Sequence, residues 1–496
     1  MVLLVLIVRT LVFLNFDTIY TDSDQLVLWS ATNDMLHGKF HEPCFYGQAY
    51  NPLWEPLLAQ PLLWLGFSIQ NSLSAVANFL GIFPYLLLIS GFIRKKNYFS
   101  AISACIMLLL FPRAFHFVTS MPRGYLPACA IASIGVYMAL FSTKQIRFYW
   151  FALASLIALA TSENSLFLTF PVGVYLFVSN FKIKKFYWLN FLGLVTATPL
   201  PLYIWWFYKT HPAHNIHHLA YDFGFGIFLE TLKMSNLVFK DFSTFGGNPL
   251  IYLTMFYLIF GVVSLLKKSF NQSIAIFLGL AFFYFSLSFD KSQNAMPMVF
   301  FSGARMFLGV PLSFLVFFYW AESSLGYNRL INLVKPYAIC IFALVGVIVF
   351  GNAFRSVQSP FYYQASYFDI IQANRIKDVR KQCDQTEMLC KKYKSNLVII
   401  NDSRTGLNYM AAALNYPYKT LIPRSDRRTW EMEAEDTTIR ENFILYTHEP
   451  YKMYGNFIHP VHFLAIPEDP FAFCIFTDHA KVFDILKIMN MDVRAH

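Results

Sequence analysis

Apolar residues come in long runs along most of this chain, separated by short polar connections. The runs fall at 1–16, 71–93, 98–112, 124–142, 147–160, 165–180, 186–208, 249–266, 272–289, 301–320 and 333–354. Stretches that are apolar on every face predict helices that are buried all round or that cross a bilayer. They predict about eleven spans, of which 98–112 and 147–160 are short for a crossing. After residue 355 the pattern changes: apolar runs shorten, and charges and turn residues separate them. "NLVIIND" (396–402), "YKTLIP" (418–423), "ENFILYTHE" (441–449) and "FAFCIFT" (471–477) predict strands, and "SRTGLNYMAAAL" (403–414) and "DHAKVFDILKIMN" (478–490) predict helices. The expected architecture is an α-helical polytopic membrane region over 1–354, followed by a small extracytoplasmic α/β domain over 355–496.

The connections alternate in charge. Basic residues fill every second one: Arg94-Lys95-Lys96, then Lys144 and Arg147, then Lys182, Lys184 and Lys185, then Lys267-Lys268, then the loop holding Arg329 and Lys335. The positive-inside rule makes these loops cytoplasmic. The remaining connections, 17–70, 113–123, 161–164, 209–248 and 290–300, then face out with everything after 355. Composition agrees with a membrane protein: 496 residues, 56% hydrophobic, 19% aromatic and only 14% charged. The net charge of +10 is spread over topology-setting loops, so it does not point to nucleic acid. Arg9 interrupts the first run: either it faces the bundle interior or the true start lies upstream. A cleaved signal peptide fits poorly, since no positive n-region or cleavage site is clear.

Cys105, Cys129 and Cys340 fall inside runs and read as small apolar packing residues. Cys44, Cys383, Cys390 and Cys474 fall on the outer side, where an oxidising compartment permits disulfides, and Cys383 and Cys390 are close enough in sequence to pair. No internal repeat or low-complexity segment occurs, which weighs against solenoids and inverted-repeat transporters.

The first outer loop, 17–70, carries the most chemistry. "YTDSDQ" (20–25) sets Asp22 and Asp24 at the mouth of the first run. "DQLVLWSATNDMLHGKF" (24–40) has the spacing of a helix lying along the membrane surface, ended by Gly38. "HEPCFYGQAYNPLWEPLLAQPLLWLG" (41–66) is dense in aromatics, prolines and polar groups.

A first span followed at once by an acid, then a helix ending "HGKF", then "FYGQAYNPLWEPLLAQPL", resembles the GT-C superfamily of membrane glycosyltransferases, which includes protein O-mannosyltransferases and the aminoarabinose transferase of lipid A. "FPRAFHFVTSMPRGYLPA" (111–128), "LIALATSENSLFLTFPVGVYL" (157–177) and "FFSGARMFLGVPLSFL" (300–315) extend the resemblance over about 350 residues, carried by order and topology rather than by a strict signature. It implies an inverting transferase that takes a sugar from a polyprenyl-phosphate carrier on the outer face. The acceptor, a protein, lipopolysaccharide or cell-wall glycan, stays open. It also implies a bacterial inner-membrane location, contact with membrane lipids and no nucleic-acid partner.

In that frame Asp24 is the expected base on the acceptor hydroxyl, with Asp22 the alternate; the ordinary role of both is to cap the following helix. Asp22-Ser23-Asp24 also has the form of a divalent-cation motif, though neither a metal site nor a cofactor is expected. Glu55, Tyr46, Gln48, Tyr50 and Asn51 are candidate sugar or acceptor contacts, against their ordinary reading as interfacial residues and a helix-start carboxylate. Arg113, Arg123 and Arg305 stand at outer ends of spans, against the positive-inside bias, and their forked guanidiniums suit phosphate oxygens as well as lipid headgroups. Glu163 is a candidate partner for one of them. His211, His214, His217 and His218 form a cluster open to metal, substrate or plain loop roles, and "PRSDRR" (423–428) reads as a solvated or headgroup-facing basic face. Two rival classes fit less well. An O-antigen ligase or polymerase would carry its large functional loop late in the chain. A transporter with an outer sensing domain would place ionisable residues deep in its spans.

Overall fold

The structure is a computed structural model that describes residues 1–215, 222–242, 248–293, 303–325, 344, 346–348, 351, 374–400, 407–421, 443–448, 462–465 and 471–476. The chain divides into two compact units. The first comprises residues 1–17, 74–203 and 219–367, and the second 18–73, 204–218 and 368–496.

In chain order, α1 (Val2–Val12) passes into a π-helical turn at Phe13–Asp17. A short strand β1 (Tyr20–Thr21) precedes α2 (Ser23–Leu36) and α3 (Trp54–Trp64). Then come α4 (Ile69–Arg94), α5 (Tyr98–Leu110), α6 (Arg113–Val118), α7 (Leu126–Phe141), α8 (Arg147–Thr161), α9 (Leu166–Asn180), α10 (Lys184–Ala197) and α11 (Pro199–Thr210). The helical series continues with α12 (Phe225–Lys233), α13 (Ser235–Phe239), α14 (Pro249–Leu266), α15 (Phe270–Ser286) and α16 (Gly309–Leu325). Every apolar run up to 320 therefore forms helix; the run at 333–354 lies almost wholly outside the described residues. Among the described residues, three stretches are long and apolar enough to cross a membrane on their own: Ile69–Arg94, Lys184–Thr210 and Pro249–Leu266. The expectation of about eleven full spans is corrected to that extent, because polar turns cut the other runs into helices of 11–17 residues, against about 20 for a crossing.

In the first unit the helices approach closely where side chains vanish. A Cβ on Gly135 of α7 would lie 2.8 Å from Ala154 of α8, and one on Gly193 of α10 would lie 2.4 Å from the carbonyl of Tyr149 in α8. Small residues let backbones meet where the apolar surroundings offer little hydrophobic drive. One buried carboxylate of the unit shows how the chain satisfies its own polar groups. Glu322 of α16 accepts from the Ser100 amide (2.9 Å), the Ser100 hydroxyl (2.6 Å) and the Phe99 amide (3.2 Å), and so supplies the missing cap of α5.

Arg9 points inward, toward the bundle interior. Its guanidinium donates to Asn78 Oδ1 (2.8 Å), the Asn78 carbonyl (3.2 Å), the Thr119 hydroxyl (2.9 Å) and the carbonyls of His116 (3.0 Å) and Thr119 (2.7 Å). The last two carbonyls close α6, so a buried cation ends a helix where the macrodipole is negative. Gly81 of α4 lies against the same point: a Cβ there would sit 1.8 Å from the Thr119 carbonyl.

In the second unit, β1 pairs antiparallel with β2 (Asn374–Arg375), Tyr20 opposite Arg375 and Thr21 opposite Asn374. This ties the first loop to the C-terminal segment. There α17 (Ile376–Tyr393) and α18 (Leu407–Ala413) accompany β3 (Leu397–Ile400), β4 (Lys419–Leu421), β5 (Phe443–His448), β6 (His462–Ala465) and β7 (Phe471–Phe476). The sheet order is β4-β3-β5-β7-β6, parallel across β4-β3-β5 and antiparallel across β5-β7-β6. Leu397–Ile400 is buried at every position, as a parallel strand covered on both faces should be. The expected strands and the helix at 403–414 appear within a few residues of their predicted bounds; β6 and α17 were not foreseen, and 478–490 and 423–428 lie outside the described residues.

Two expectations are corrected here. Cys383 and Cys390 are both free and buried. Seven residues apart on α17, they stand about 10 Å apart along the axis, beyond disulfide reach. And α2 is not a surface helix: every residue from Gln25 to Asn33 is buried. Its polar side chains bond inside the unit, Ser30 Oγ to the carbonyls of Leu26 (3.2 Å) and Tyr409 (3.0 Å), and Thr32 Oγ1 to that of Leu28 (2.6 Å). It does end near Gly38, at φ +73°, where the amides of Gly38 and Lys39 bond back to Met35 and Asp34.

Gly81→Ala is expected to destabilise the first unit by about 1–3 kcal/mol, the cost of overpacking where the neighbour is backbone. Thermal melting of the purified protein in micelles checks this, and an unchanged midpoint contradicts it.

Candidate functional site

Asp22 is the N-cap of α2: its Oδ1 accepts from the Gln25 amide at 2.9 Å, and it is only 3% exposed. Asp24 stands in the first turn, half-buried, its carboxylate next to the helix N-terminus that favours negative charge.

The other loop candidates belong to a compact turn. The Phe45 amide donates to the Asn51 carbonyl (3.0 Å), the Gln48 amide to Phe45 (2.9 Å) and the Leu53 amide to Pro43 (3.2 Å). Gly47 (φ 76°) and Asn51 (φ 57°) take the left-handed conformations the turn requires. Tyr46 is buried and donates its hydroxyl to Asp34 Oδ2 at 2.9 Å; Gln48 and Glu55 are buried, and Tyr50 and Asn51 half-buried.

At the centre of this turn lies Glu42, fully buried. Its carboxylate accepts from the Gly47 amide (3.1 Å) and from the Tyr208 hydroxyl (3.0 Å), and His214 Nδ1 lies 3.2 Å away. Burial raises the Glu42 carboxyl above its ordinary range, and His214, the Gly47 amide and Tyr208 pull against it. Of the histidine cluster, His211 and His214 are described and their rings meet edge to face at 5.8 Å. Among the described residues, no group of three or more His, Cys, Asp or Glu stands ready to hold a metal ion.

The arginine candidates belong to the first unit. Arg123 is buried; Arg305 is half-buried in a 3₁₀ turn, Gly303–Phe307; Arg113 begins α6, and its side chain lies outside the described residues. Asn164 links two of the arginine-bearing segments, its amide donating to the carbonyls of Tyr125 (3.3 Å) and Arg305 (3.3 Å). Glu163 pairs with Lys291, not with an arginine, because Lys291 lies on the 3₁₀ turn that follows α15.

Beside that pair opens an apolar groove of about 360 Å³, walled by Phe167, Phe282, Phe285, Phe289, Met306 and Phe307. Glu163 and Lys291 also line it, and Arg305 directly precedes Met306. Sequence reasoning missed three features. Lys291 was legible as a cation in a loop expected to face out. Asp17, which accepts from the Ser120 hydroxyl (2.8 Å) and Asn78 Nδ2 (3.1 Å), was legible as the first acid after the first run. The Glu42–Tyr208–His214 network joins residues far apart in sequence and left no signal.

No protein-family model and no curated protein matches the sequence. Two solved structures match along nearly the whole chain. One is ArnT from Cupriavidus metallidurans bound to undecaprenyl phosphate: 12% identity, TM-score 0.55, covering 96% of this chain and 97% of that one. The other is the same protein in the apo state: 10% identity, TM-score 0.58, with the same coverage. The likeness is one of fold, and it is the GT-C fold that the order of motifs led us to expect.

Because the Glu42 carboxyl titrates higher in the folded chain than in the unfolded one, it favours folding when protonated. That contribution is complete below the unfolded value and fades as pH rises through the folded one. Wild type should therefore gain stability relative to Glu42→Gln as pH falls from neutral toward about 4.5, near the unfolded glutamate value. Melting curves across that window read the difference, and a constant gap would count against the assignment.

Proposed function

We propose that this chain, which has the GT-C fold, is an inverting glycosyltransferase. It moves a sugar from a polyprenyl-phosphate carrier to an acceptor on the outer face of a bacterial inner membrane. The observation that carries the reading is the groove in the first unit: aromatic along its length, with a lysine at its edge and Arg305 adjoining it. An isoprenoid tail needs such a wall and its phosphate needs such cations. An ArnT structure of the same fold was solved with undecaprenyl phosphate.

In this reaction the acceptor oxygen attacks the anomeric carbon as its bond to the carrier phosphate breaks. The hydroxyl proton passes to a carboxylate, and polyprenyl phosphate leaves with the bonding electrons. Asp24 is the base we assign, because the Asp22 carboxylate is committed to capping α2. Arg305, Arg123 and Arg113, with Lys291, neutralise charge on the departing phosphate. Glu55, Tyr46, Gln48, Tyr50 and Asn51 shape the loop that receives sugar and acceptor. For the buried Tyr46 and Gln48 that role is support of the loop: Tyr46 donates to Asp34 of α2, and the Gln48 amide donates to the Phe45 carbonyl within the turn.

Asp24→Asn should lower release of free polyprenyl phosphate from a panel of polyprenyl-phosphate sugars by at least about 100-fold. The assay uses folded protein with a membrane extract as acceptor. Equal release by both forms would move the base to Asp22 or Glu55, and no release by wild type from any donor would remove the transferase reading.

The groove makes a separate demand. Phe285 is half exposed within it, so Phe285→Ser should fold, raise KM for long-chain donors several-fold and leave kcat nearly unchanged. A variant indistinguishable from wild type across donor chain lengths would exclude the groove as the tail site.

A further inference from the structure

The first unit holds a polar cavity that the transfer chemistry does not use. About 220 Å³ in volume, it opens among the last turns of α7, α9 and α16 and the first turns of α8 and α15. These helix ends adjoin the basic loops, whereas Glu163 and Lys291 of the aromatic groove follow the other ends of α8 and α15. We propose that this cavity binds the phosphodiester of a membrane phospholipid whose headgroup is an uncharged polyol.

The first argument is charge. Arg147, half-buried, lines the cavity. Its Nη1 donates to the carbonyls of Ser142 (3.2 Å) and Ala139 (3.5 Å) at the end of α7, and no carboxylate among the described residues pairs with it. Of the acids in the first unit, all among the described residues, Glu322 alone belongs to a helix end at the cavity. Its carboxylate is taken up by the first turn of α5. Asp17, Glu163, Asp222, Glu230, Asp241 and Asp290 belong to turns and short helices at the far end of the bundle. The 15 residues of α8 alone put about 22 Å between Arg147 and that end. Residues 326–343, which follow α16, add Arg329 and Lys335 and no acid.

The second argument is an excess of donors. Trp320 is buried and lines the cavity, and its indole N–H meets no acceptor among the described residues. A buried donor left open is costly until a ligand meets it. Gln272 accepts from the Ser324 hydroxyl through Oε1 (3.2 Å) and keeps its Nε2 donors, and Ser179 accepts from Asn271 Nδ2 (3.2 Å) and keeps its proton. A guanidinium, an indole N–H, an amide and a hydroxyl are the groups that surround phosphate oxygens.

The third argument is valence. A phosphodiester carries one negative charge, matched by one guanidinium, against roughly 1.5–2 for a phosphate monoester at neutral pH. An ammonium headgroup would find no free carboxylate here. Polyol hydroxyls find Asn180 Oδ1, since Asn180 binds the Leu176 carbonyl through Nδ2 at 2.8 Å. Tyr175 and Tyr319 wall the cavity, and Phe177, 53% exposed, adjoins Leu176 on α9, so an acyl chain has apolar surface to follow. Basic pockets between spanning helices suit anionic lipids for these reasons. This binding does not rest on the transfer activity proposed above.

The test is native mass spectrometry of the full chain in detergent micelles, titrated with phosphatidylglycerol, phosphatidylethanolamine or inorganic phosphate. Phosphatidylglycerol should bind about tenfold more tightly than phosphatidylethanolamine, the worth of one charged hydrogen bond, and millimolar phosphate should not displace it. Arg147→Gln should remove that preference. Trp320→Phe deletes the N–H but keeps an aromatic ring, and should weaken phosphatidylglycerol several-fold; it serves also if Arg147→Gln fails to fold. Lys184→Met with Lys185→Met, both exposed and outside the cavity lining, should leave the preference intact. Equal binding of the two lipids, displacement by phosphate, or a preference kept by the cavity variants would each overturn the proposal. So would a preference lost with the lysine pair. None of these outcomes depends on turnover, so this proposal and the transferase reading fail separately.

Discussion

A polar group withdrawn from water must find its partner within the chain, and in the first unit that demand falls hardest on Arg9. A guanidinium at this depth is costly unless its donors are met. Here they are met by Asn78, by Thr119 and by the carbonyls that end α6. One side chain thus pins three helices together and terminates one of them. Gly81 is confined to glycine by the same closeness, and Asp17 stands one bond further along through Asn78. The interior of this bundle is specified by such polar junctions as much as by its phenylalanines.

The second unit solves the same problem in a loop. Glu42 lies under a turn whose amide, together with a tyrosine hydroxyl and an imidazole from beyond residue 200, surrounds its carboxylate. The turn then presents Tyr46 to Asp34 and carries the chain into α3 with Glu55 at its start. A buried acid with several partners holds an irregular segment in one shape, because losing any partner leaves charge or a dipole unsatisfied. The two aspartates at the start of α2 take different places: Asp22 caps the helix with its carboxylate on a backbone amide, and Asp24 stands within the first turn.

Much of the fold was legible because runs of apolar residues and in-phase basic loops are local signals. The helices fell where the runs did. So did most of the strands, since "LVII" and "FILYTH" have the composition of buried strands wherever they are placed. The surface position assigned to α2 was mistaken for an instructive reason. Its apolar spacing suits a helix with one free face, yet its serine and threonine bond to carbonyls of its own helix and of α18, and its asparagine bonds to Asn415 just after α18. The pairing imagined for Cys383 and Cys390 failed because sequence proximity on a helix is distance along an axis. Glu163 found a lysine instead of an arginine because the turn after α15 happens to pass it.

The sequence by itself determined the class of the molecule: apolar helices joined by short polar loops, with a mixed α/β segment after them. Those properties follow from hydrophobic period and loop polarity, which neighbouring residues carry between them. Tertiary structure alone decided that Glu42 meets Tyr208 and His214, that Asn33 meets Asn415 across nearly four hundred residues, and that six apolar side chains from three stretches of chain wall one groove. Contacts at that separation have no local signature, because their energy comes from burial and hydrogen bonding that exist only once the chain has folded.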